Sequence, residues 1–274
     1  MTLQDRLAHR LGPRLGPHTV VGRSLRWVHH HLPRHEPERP IARVIFAFAR
    51  SHPRATFVQV GAHDGTQLDP LRDEVLGRRW TGVMVEPVPY VFSRLADNYR
   101  HLDRVSLENV AIADEDGTRD FHHLRESSGE GDDPWKWYDA LGSFRRDVLL
   151  SHRELIPDID ERIITTPVPC LTFDSLCHRH GIGAIDVVQI DTEGYDFEVI
   201  KLIDFGAHPV SLLMYENLHL DAPTASACAD HLRAQGFELL ADPMDTLALH
   251  RRVLDADPGL QSLWSRLQRP DTTS

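Results

Sequence analysis

The chain of 274 residues is poor in lysine and cysteine and contains no long apolar run. Lys136 and Lys201 are its only lysines. The formal net charge of -11 argues against a nucleic-acid partner, because phosphate binding needs a basic surface. No apolar segment approaches the ~20 residues that cross a bilayer, so no membrane partner is expected. The most apolar stretch, residues 41–49, is interpreted as a buried helix.

The cysteines form neither a disulfide framework nor a zinc site. Cys170, Cys177 and Cys228 are odd in number and lack C-x-x-C spacing. We interpret them as small buried apolar residues in a reducing compartment. The first residues also lack the apolar core of a signal peptide. A cytoplasmic location is therefore expected.

Three regions are expected along the chain. Residues 1–54 predict a helical N-terminal extension, residues 55–252 the main domain, and residues 253–274 a C-terminal tail. The extension contains the run His29–His31, which we interpret as a solvated helix face, because consecutive helical side chains point in different directions.

Strand-like and helix-like segments alternate in the main domain. Strands are predicted at 56–60, 80–85, 105–112, 185–190 and 210–215, helices at 68–76, 88–102, 195–203 and 222–235, and a closing hairpin at 237–240 and 246–250. This order predicts an α/β fold with a mainly parallel, Rossmann-like sheet, a C-terminal antiparallel hairpin and helices on both faces.

One insertion, at about residues 117–168, interrupts this alternation with a polar, tryptophan-bearing stretch. Its segment Trp135–Leu150 mixes aromatic and polar residues. Such a segment suits a lid over an active site. A homodimer contact and an ordered cover for the sheet edge are the alternatives.

A glycine loop follows the first strand of the main domain. Gly61 permits a sharp turn beside a ligand, and Gly65 opens the next helix. Glu86, at the end of the second strand, is placed to accept both hydroxyls of a ribose. A dinucleotide such as NAD is the alternative ligand, but His63 stands where the G-x-G-x-x-G fingerprint needs its middle glycine.

Four motifs in order, FVQVGAHDG at 57–65, VMVEP at 83–87, NVAI at 109–112 and IDTEGYD at 190–196, resemble the FkbM-type methyltransferase family over about residues 55–250. The resemblance implies a class I methyltransferase fold and S-adenosylmethionine as methyl donor. It implies that the loop after the first strand lines the methionine tail, that Glu86 holds the ribose, and that the turn 109–111 borders the adenine. The implied donor-binding residues are Gln59, Gly61, His63, Asp64, Gly65, Glu86, Asn109 and Ala111. Gln59 stands where the family often has aspartate, so it brings no charge to the donor's amino group.

The acceptor is expected at the ends of the next two strands. Asp191 ends one strand and Glu216-Asn217 end its neighbour, an arrangement similar to the magnesium site of catechol-type O-methyltransferases. Magnesium at Asp191, Glu216 and Asn217 would lower the pKa of an acceptor hydroxyl. Alternatively, Asp191 and Glu216 bind the acceptor's hydroxyls directly.

The predicted catalytic residues are Asp191, His219 and Glu216. His219 is the first choice as base in the absence of metal, with His63 second, because a neutral imidazole accepts a proton near pH 7. Glu193 and Asp196 are interpreted equally as acids at a helix N-terminus and as catalytic groups, and Thr192 as a helix cap.

The expected activity is S-adenosylmethionine-dependent O-methylation of a small-molecule acceptor: a hydroxyl on a sugar, glycoside or other secondary metabolite. N-methylation and an NAD-binding oxidoreductase on the same fold are the alternatives, together with a binding partner that has lost catalysis.

Overall fold

A computed structural model describes residues 39–66, 69–126, 138 and 141–268 of the chain. The predictions for residues 1–38, with the run His29–His31, and for Trp135 and Trp137 lie outside these ranges. In the described part, no helix combines the length and apolarity needed to cross a membrane.

Strands in the described ranges form two sheets. They are β1 (Thr56–Val60), β2 (Thr81–Val85), β3 (Val105–Glu108), β4 (Ala111–Ile112), β5 (Gly117–Leu124), β6 (Gly142–Ser143), β7 (Ile163–Leu171), β8 (Ile185–Ile190), β9 (Val210–Glu216), β10 (Phe237–Ala241) and β11 (Asp245–His250). The central sheet has the order β10-β11-β9-β8-β1-β2-β3. Its strands are parallel except β11, which runs antiparallel to both of its neighbours. The predicted Rossmann-like α/β fold with a closing hairpin is confirmed.

The central sheet is covered on both faces, which explains its runs of β-branched residues. Phe57 and Met84 point to one apolar cluster, whereas Val58 and Val83 point to the other. Cys177 and Cys228 belong to the second cluster, and with Cys170 they are free and buried, as predicted.

Helices fill both sides of the sheet. They are α1 (Pro40–Ser51), α2 (Arg72–Gly77), α3 (Pro89–Tyr99), α4 (Arg146–Ser151), α5 (Ile159–Arg162), α6 (Phe173–His180), α7 (Asp196–Lys201), α8 (Ala222–Ala234), α9 (Arg251–Ala256) and α10 (Pro258–Leu267). Helix α1 confirms the buried helix expected at residues 41–49. It shares one core with α10 and the sheet, through Phe48 and Trp264. The division into extension, domain and tail stays a prediction.

The predicted single strand at residues 105–112 is wrong. Strand β3 ends at Glu108, and β4 belongs to the second sheet. The chain turns between them at Asn109, whose Nδ2 donates to the backbone oxygens of Glu86, at 2.7 Å, and Pro87, at 3.0 Å. This side-chain bonding replaces the ladder that one continuous strand would need.

The insertion builds most of the second sheet, with the order β4-β7-β5-β6. Strands β5 and β7 pair antiparallel along their whole length, from Gly117 opposite Cys170 to Leu124 opposite Ile163. Helices α4 and α5, with a 3-10 turn at His152–Glu154, connect β6 to β7. The insertion is therefore a folded layer that stands beside the carboxyl ends of the central strands.

Candidate active site

A cleft of about 640 Å³, partly open to solvent, lies beyond the carboxyl ends of β1, β2 and β8. This is the switch point of the sheet, because β2 follows β1 on one side and β8 adjoins it on the other. Gly61, Glu86 and Ala111 line one part of the cleft, and Asp191 and Glu193 line another.

The glycine loop is fixed to both neighbouring strands. The N–H groups of Gly61 and Ala62 donate to the oxygen of Val85, at 3.0 and 2.9 Å. Gly61 has φ +76, and a Cβ on it would lie 1.7 Å from the oxygen of Asp191. Only glycine permits this contact, so Gly61 joins the first loop to the residue that ends β8.

His63 and Asp64 have different surroundings. His63 lines the cleft with φ +50, and its buried Nε2 has no hydrogen-bond partner among the described residues. Asp64 Oδ1 accepts from the N–H and the hydroxyl of Thr66, both at 2.8 Å. Gly65 lies against the ring of Tyr99. His63 therefore belongs to the cleft lining, whereas Asp64 and Gly65 shape the loop.

Glu86 is buried at the end of β2 and lines the cleft. Its Oε2 accepts from the N–H of His63 at 3.0 Å, and its Oε1 from the N–H of Val88 at 2.8 Å. Burial raises the pKa of Glu86 to about 7, against the lowering effect of these bonds. Each carboxylate oxygen retains a lone pair for a second donor.

Two predicted donor-binding residues lie behind the cleft lining. Gln59 Nε2 donates to Asp69 at 3.1 Å, and its buried Oε1 has no partner in the described structure. Asn109 holds the backbone of Glu86 and Pro87, as described above, whereas Ala111 lines the cleft. Asn109 thus acts on the cleft through Glu86.

An acidic cluster marks the other part of the cleft. Asp191 follows β8, Glu193 lies in the next turn, and Glu216 ends β9; one carboxylate oxygen of each lies within 4.8 Å of the others. Desolvation of the carboxyl group raises the pKa of Asp191 well above its ordinary value, and the negative charges of Glu193 and Asp196 raise it further. Burial and the charge of Asp191 raise the pKa of Glu216 to about 10.

Asp196 supports this cluster from beneath. It is fully buried at the start of α7, where Thr192 Oγ1 donates to its Oδ2 at 3.1 Å. The N–H of Glu216 donates to its Oδ1 at 3.3 Å. Burial raises the pKa of Asp196 to about 7. Asp196 thereby links the ends of β8 and β9.

His219 lies behind Glu193 and outside the cleft lining. Its Nε2 is 3.0 Å from Glu193 Oε2 and 3.9 Å from Glu216 Oε2. The hydrogen bond with Glu193 raises the pKa of His219 above its ordinary value. The ring of His152, from the insertion, meets the His219 ring edge to face at 5.2 Å.

Asn217 is turned away from the acidic cluster. Its Nδ2 donates to the oxygen of Asp242 at 3.1 Å and to Thr246 Oγ1 at 2.9 Å, which fixes the β10–β11 hairpin. Glu193 lies beside Asp191 and Glu216 instead. The sequence contains a signal for the position of Glu193, because this residue precedes Gly194 directly after a strand. In the structure the two residues form a tight turn, with φ +50 at Glu193 and +82 at Gly194.

Aromatic rings from the insertion and from the turn after β8 form one wall of the cleft. Phe121, Phe144 and Tyr195 all line it. The Phe144 ring meets Phe121 at 5.2 Å and Tyr195 at 5.1 Å, both edge to face. The insertion therefore contributes Phe121 and Phe144 to the lining of the cleft, and the lid stays a prediction.

Sheet order and cleft together define a class I methyltransferase. The chain belongs to the FkbM methyltransferase family: residues 59–239 match the model of the methyltransferase FkbM domain. Membership implies S-adenosylmethionine as the methyl donor, and it favours methyl transfer over the NAD-dependent alternative.

The comparisons with known proteins give one similar sequence and several similar structures. The chain is 29% identical over 150 residues to the 2-O-methyltransferase NoeI of Sinorhizobium fredii (strain NBRC 101917 / NGR234), a match that covers 54% of this chain and 57% of that protein. The crystal structure of methyltransferase FkbM from Methylobacillus flagellatus KT matches with a TM-score of 0.47 and 15% identity, over 79% of this chain and 49% of that one. A methyltransferase from Geobacter sulfurreducens matches with a TM-score of 0.38 and 13% identity, over 90% and 97%.

The residues of the cleft fit the methyl donor. Glu86 offers one free acceptor site on each carboxylate oxygen, which suits the two hydroxyls of a ribose. His63 Nε2, which has no hydrogen-bond partner among the described residues, offers a polar contact beside the loop, and Gly61 allows close approach. A phosphate-binding loop is not needed for this ligand, because S-adenosylmethionine carries no phosphate.

Proposed function

We propose that this protein methylates a hydroxyl group of a small molecule, such as a sugar, a glycoside or another secondary metabolite, in the cytoplasm. One observation carries the proposal: the cleft that fits the donor at Glu86 continues to Asp191 and Glu193. These carboxylates suit an acceptor that donates hydrogen bonds. The printed name of NoeI, a 2-O-methyltransferase, supports oxygen as the methylated atom.

The donor occupies the part of the cleft between Gly61 and Ala111. In this proposal Glu86 accepts the ribose hydroxyls, and Gly61 and His63 line the methionine tail. Ala111 borders the adenine. Bound S-adenosylmethionine supplies an electrophilic methyl group on a sulfonium, so the protein's main contribution is alignment and proton removal.

Asp191 accepts the proton of the acceptor hydroxyl. Of the predicted catalytic residues, Asp191 lines the cleft, whereas His219 and Glu216 do not. Gly61 and Asp191 are in contact through the backbone, so the acceptor contact is built next to the donor loop. Glu216 and Asp196 hold the end of the neighbouring strand in place behind Asp191.

Magnesium bound by Asp191, Glu216 and Asn217 is not included in the proposed function. The carboxylates of Asp191 and Glu216 lie close together, but the Asn217 amide nitrogen donates hydrogen bonds to the β10–β11 hairpin instead. Magnesium prefers oxygen ligands in near-octahedral geometry.

The test combines donor binding with a paired acceptor panel. Calorimetry with S-adenosylhomocysteine and with NAD should show binding of the first and none of the second. Methyl transfer is then followed by mass spectrometry on hydroxyl compounds and on their amino counterparts, for example a glycoside and the matching aminoglycoside. Methylation of oxygen supports the proposal. Transfer to nitrogen alone, or binding of NAD instead of S-adenosylhomocysteine, would overturn it.

A further inference from the structure

We propose that His152, Glu193 and His219 bind one divalent transition-metal ion beside the acceptor end of the cleft. A ring nitrogen of each histidine and a carboxylate oxygen of Glu193 lie within 4.8 Å of one another. The ion's role in catalysis rests on the proposed function, whereas its binding does not.

The distances between the ligand atoms suit a shared ion. An ion held at about 2.1 Å by two ligands keeps their atoms about 3.0 Å apart at a right angle and about 3.4 Å apart at the tetrahedral angle. His219 Nε2 and Glu193 Oε2 are 3.0 Å apart. Two imidazoles on one tetrahedral ion place their ring centres about 5 Å apart. The centres of His152 and His219 are 5.2 Å apart.

The donor set selects the kind of metal. Two imidazoles with one carboxylate suit manganese, iron, cobalt or zinc, whereas magnesium and calcium prefer oxygen ligands throughout. Three protein ligands also leave open positions, as in metal sites that bind a substrate oxygen. Glu193 lines the cleft, so those positions adjoin the acceptor volume.

The charge around the site favours a cation. Asp191, Asp196 and Glu216 surround Glu193, and within the described ranges no arginine or lysine forms an ion pair with any of the four. Glu216 Oε2 is buried and accepts no hydrogen bond from the described residues. A divalent ion would offset the negative charge that these carboxyl groups carry when they are ionised, and it would offer Glu216 a partner.

Three separate elements deliver the ligands. His152 begins the 3-10 turn of the insertion, Glu193 lies in the turn after β8, and His219 follows β9. The turn that contains Glu193 is bonded to the insertion, because Ser143 Oγ donates to the backbone oxygen of Glu193 at 3.1 Å. The ion would therefore join the central sheet to the insertion that forms the aromatic wall.

Cobalt is a direct probe, because its visible absorption reports imidazole and carboxylate ligands. The full chain is stripped with a chelator and titrated with Co²⁺ and then Zn²⁺, in the absence of donor and acceptor. Replacing His29, His30 and His31 by alanine removes a background site in the N-terminal run. In that background we expect one saturable equivalent of Co²⁺ per chain, displaced by Zn²⁺.

Single variants then locate the ion. His152→Ala and His219→Ala should each weaken Co²⁺ binding by at least about tenfold. His178→Ala should leave it unchanged, since that side chain is 84% exposed on another helix. His219→Gln keeps a polar partner for Glu193 and covers the case in which the alanine variant fails to fold. Affinity for S-adenosylhomocysteine serves as the check of folding.

The outcomes separate cleanly. Absence of saturable Co²⁺ binding, or an affinity for Co²⁺ in His152→Ala and His219→Gln equal to that of the parent protein, would overturn the metal site and leave the methyltransferase proposal intact. Failure of methyl transfer with intact metal binding would overturn the proposed function instead.

Discussion

The backbone oxygen of Asp191 occupies the space that a side chain on Gly61 would need, since a Cβ there would lie 1.7 Å from it. The N–H of Asp191 in turn donates to the oxygen of Val60 at 2.9 Å. The loop after β1 and Asp191 are therefore held by one backbone junction between β1 and β8. A change at Gly61 must move both.

Gly61→Ala is expected to lower the free energy of unfolding by about 3 kcal/mol, because it combines a left-handed φ with a backbone clash. Donor affinity should fall with it. Gly181→Ala is the matched control: its φ is +63, but a Cβ there meets nothing within 4 Å. That control should cost about 1 kcal/mol and leave donor affinity unchanged. Urea unfolding and calorimetry measure both; equal losses in the two variants would contradict the junction.

The central sheet could be predicted because its strands carry their own signal. Thr56–Val60 and Ile185–Ile190 are short β-branched runs, each followed by a turn, and the structure places both as predicted. The hairpin of β10 and β11, which turns at Asp242, could also be predicted from the sequence. In these segments local pattern and tertiary burial agree.

The second sheet could not be predicted in the same way. Strand β5 alternates poorly, and β7 contains Pro167 and Pro169, which argue against a strand with two neighbours. Strand β4 pairs only with Cys170 and Leu171, so the proline-bearing part of β7 has a single partner. Long-range pairing therefore decides this sheet.

The sequence predicts only that part of the site that lies at the ends of the strands. Asp191 and Glu216 follow neighbouring strands, and the structure brings them together. The places of Glu193 and His152 depend on a left-handed turn and on the folding of the insertion. Neither place follows from local periodicity, and the functional roles of both residues are proposals drawn from the structure.

Glu86→Gln is expected to weaken donor binding by about 10- to 100-fold, since a neutral amide accepts on one atom where the carboxylate accepts on two. The overall fold should remain, because one of the two backbone N–H donors keeps its acceptor on the amide oxygen and only the other loses its hydrogen bond. Titration calorimetry with S-adenosylhomocysteine checks this. Glu198→Gln, at a half-exposed position on α7, is the control and should bind normally. Equal affinity in both variants would remove Glu86 from the donor site.

The pH dependence of donor binding should report the same carboxyl group. Burial raises the pKa of Glu86 from its ordinary 4.5 to about 7, so the free protein is protonated there below neutral pH. Ribose hydroxyls need the ionised form, so affinity should fall about tenfold for each pH unit below 7. Affinity of the Glu86→Gln variant should lack this slope.

The free energy of unfolding should depend on pH in the opposite direction to donor affinity. The folded state binds this proton more tightly than the unfolded state, so the stabilising contribution is complete below about pH 4.5 and is lost as pH rises through 7. Relative to Glu86→Gln, the wild-type free energy of unfolding should therefore decline by about 3 kcal/mol between these limits. A difference that is flat with pH, or that rises, would contradict the buried carboxyl group.

Asp191→Asn is expected to lower kcat by about 100-fold or more while donor affinity changes by less than about threefold, as for loss of a proton-accepting group. The amide keeps the size of the side chain, and the backbone contact with Gly61 is untouched. Single-turnover methyl transfer, with donor binding measured in parallel, separates chemistry from binding. If kcat is unaffected, Asp191 does not receive the acceptor's hydrogen.

Asn109 is expected to act on donor binding without touching the donor. Its Nδ2 donates to the backbone oxygens of Glu86 and Pro87, which fixes the residue that we propose holds the ribose. Asn109→Ala removes both bonds and should cost about 1–2 kcal/mol of stability, with a donor affinity about tenfold weaker. Asn109→Asp has the same shape but cannot donate, and it places a negative charge beside two carbonyl oxygens, so it should be worse than alanine. Thermal unfolding and calorimetry test the order wild type, alanine, aspartate; wild-type affinity in Asn109→Asp would show that Asn109 does not position Glu86.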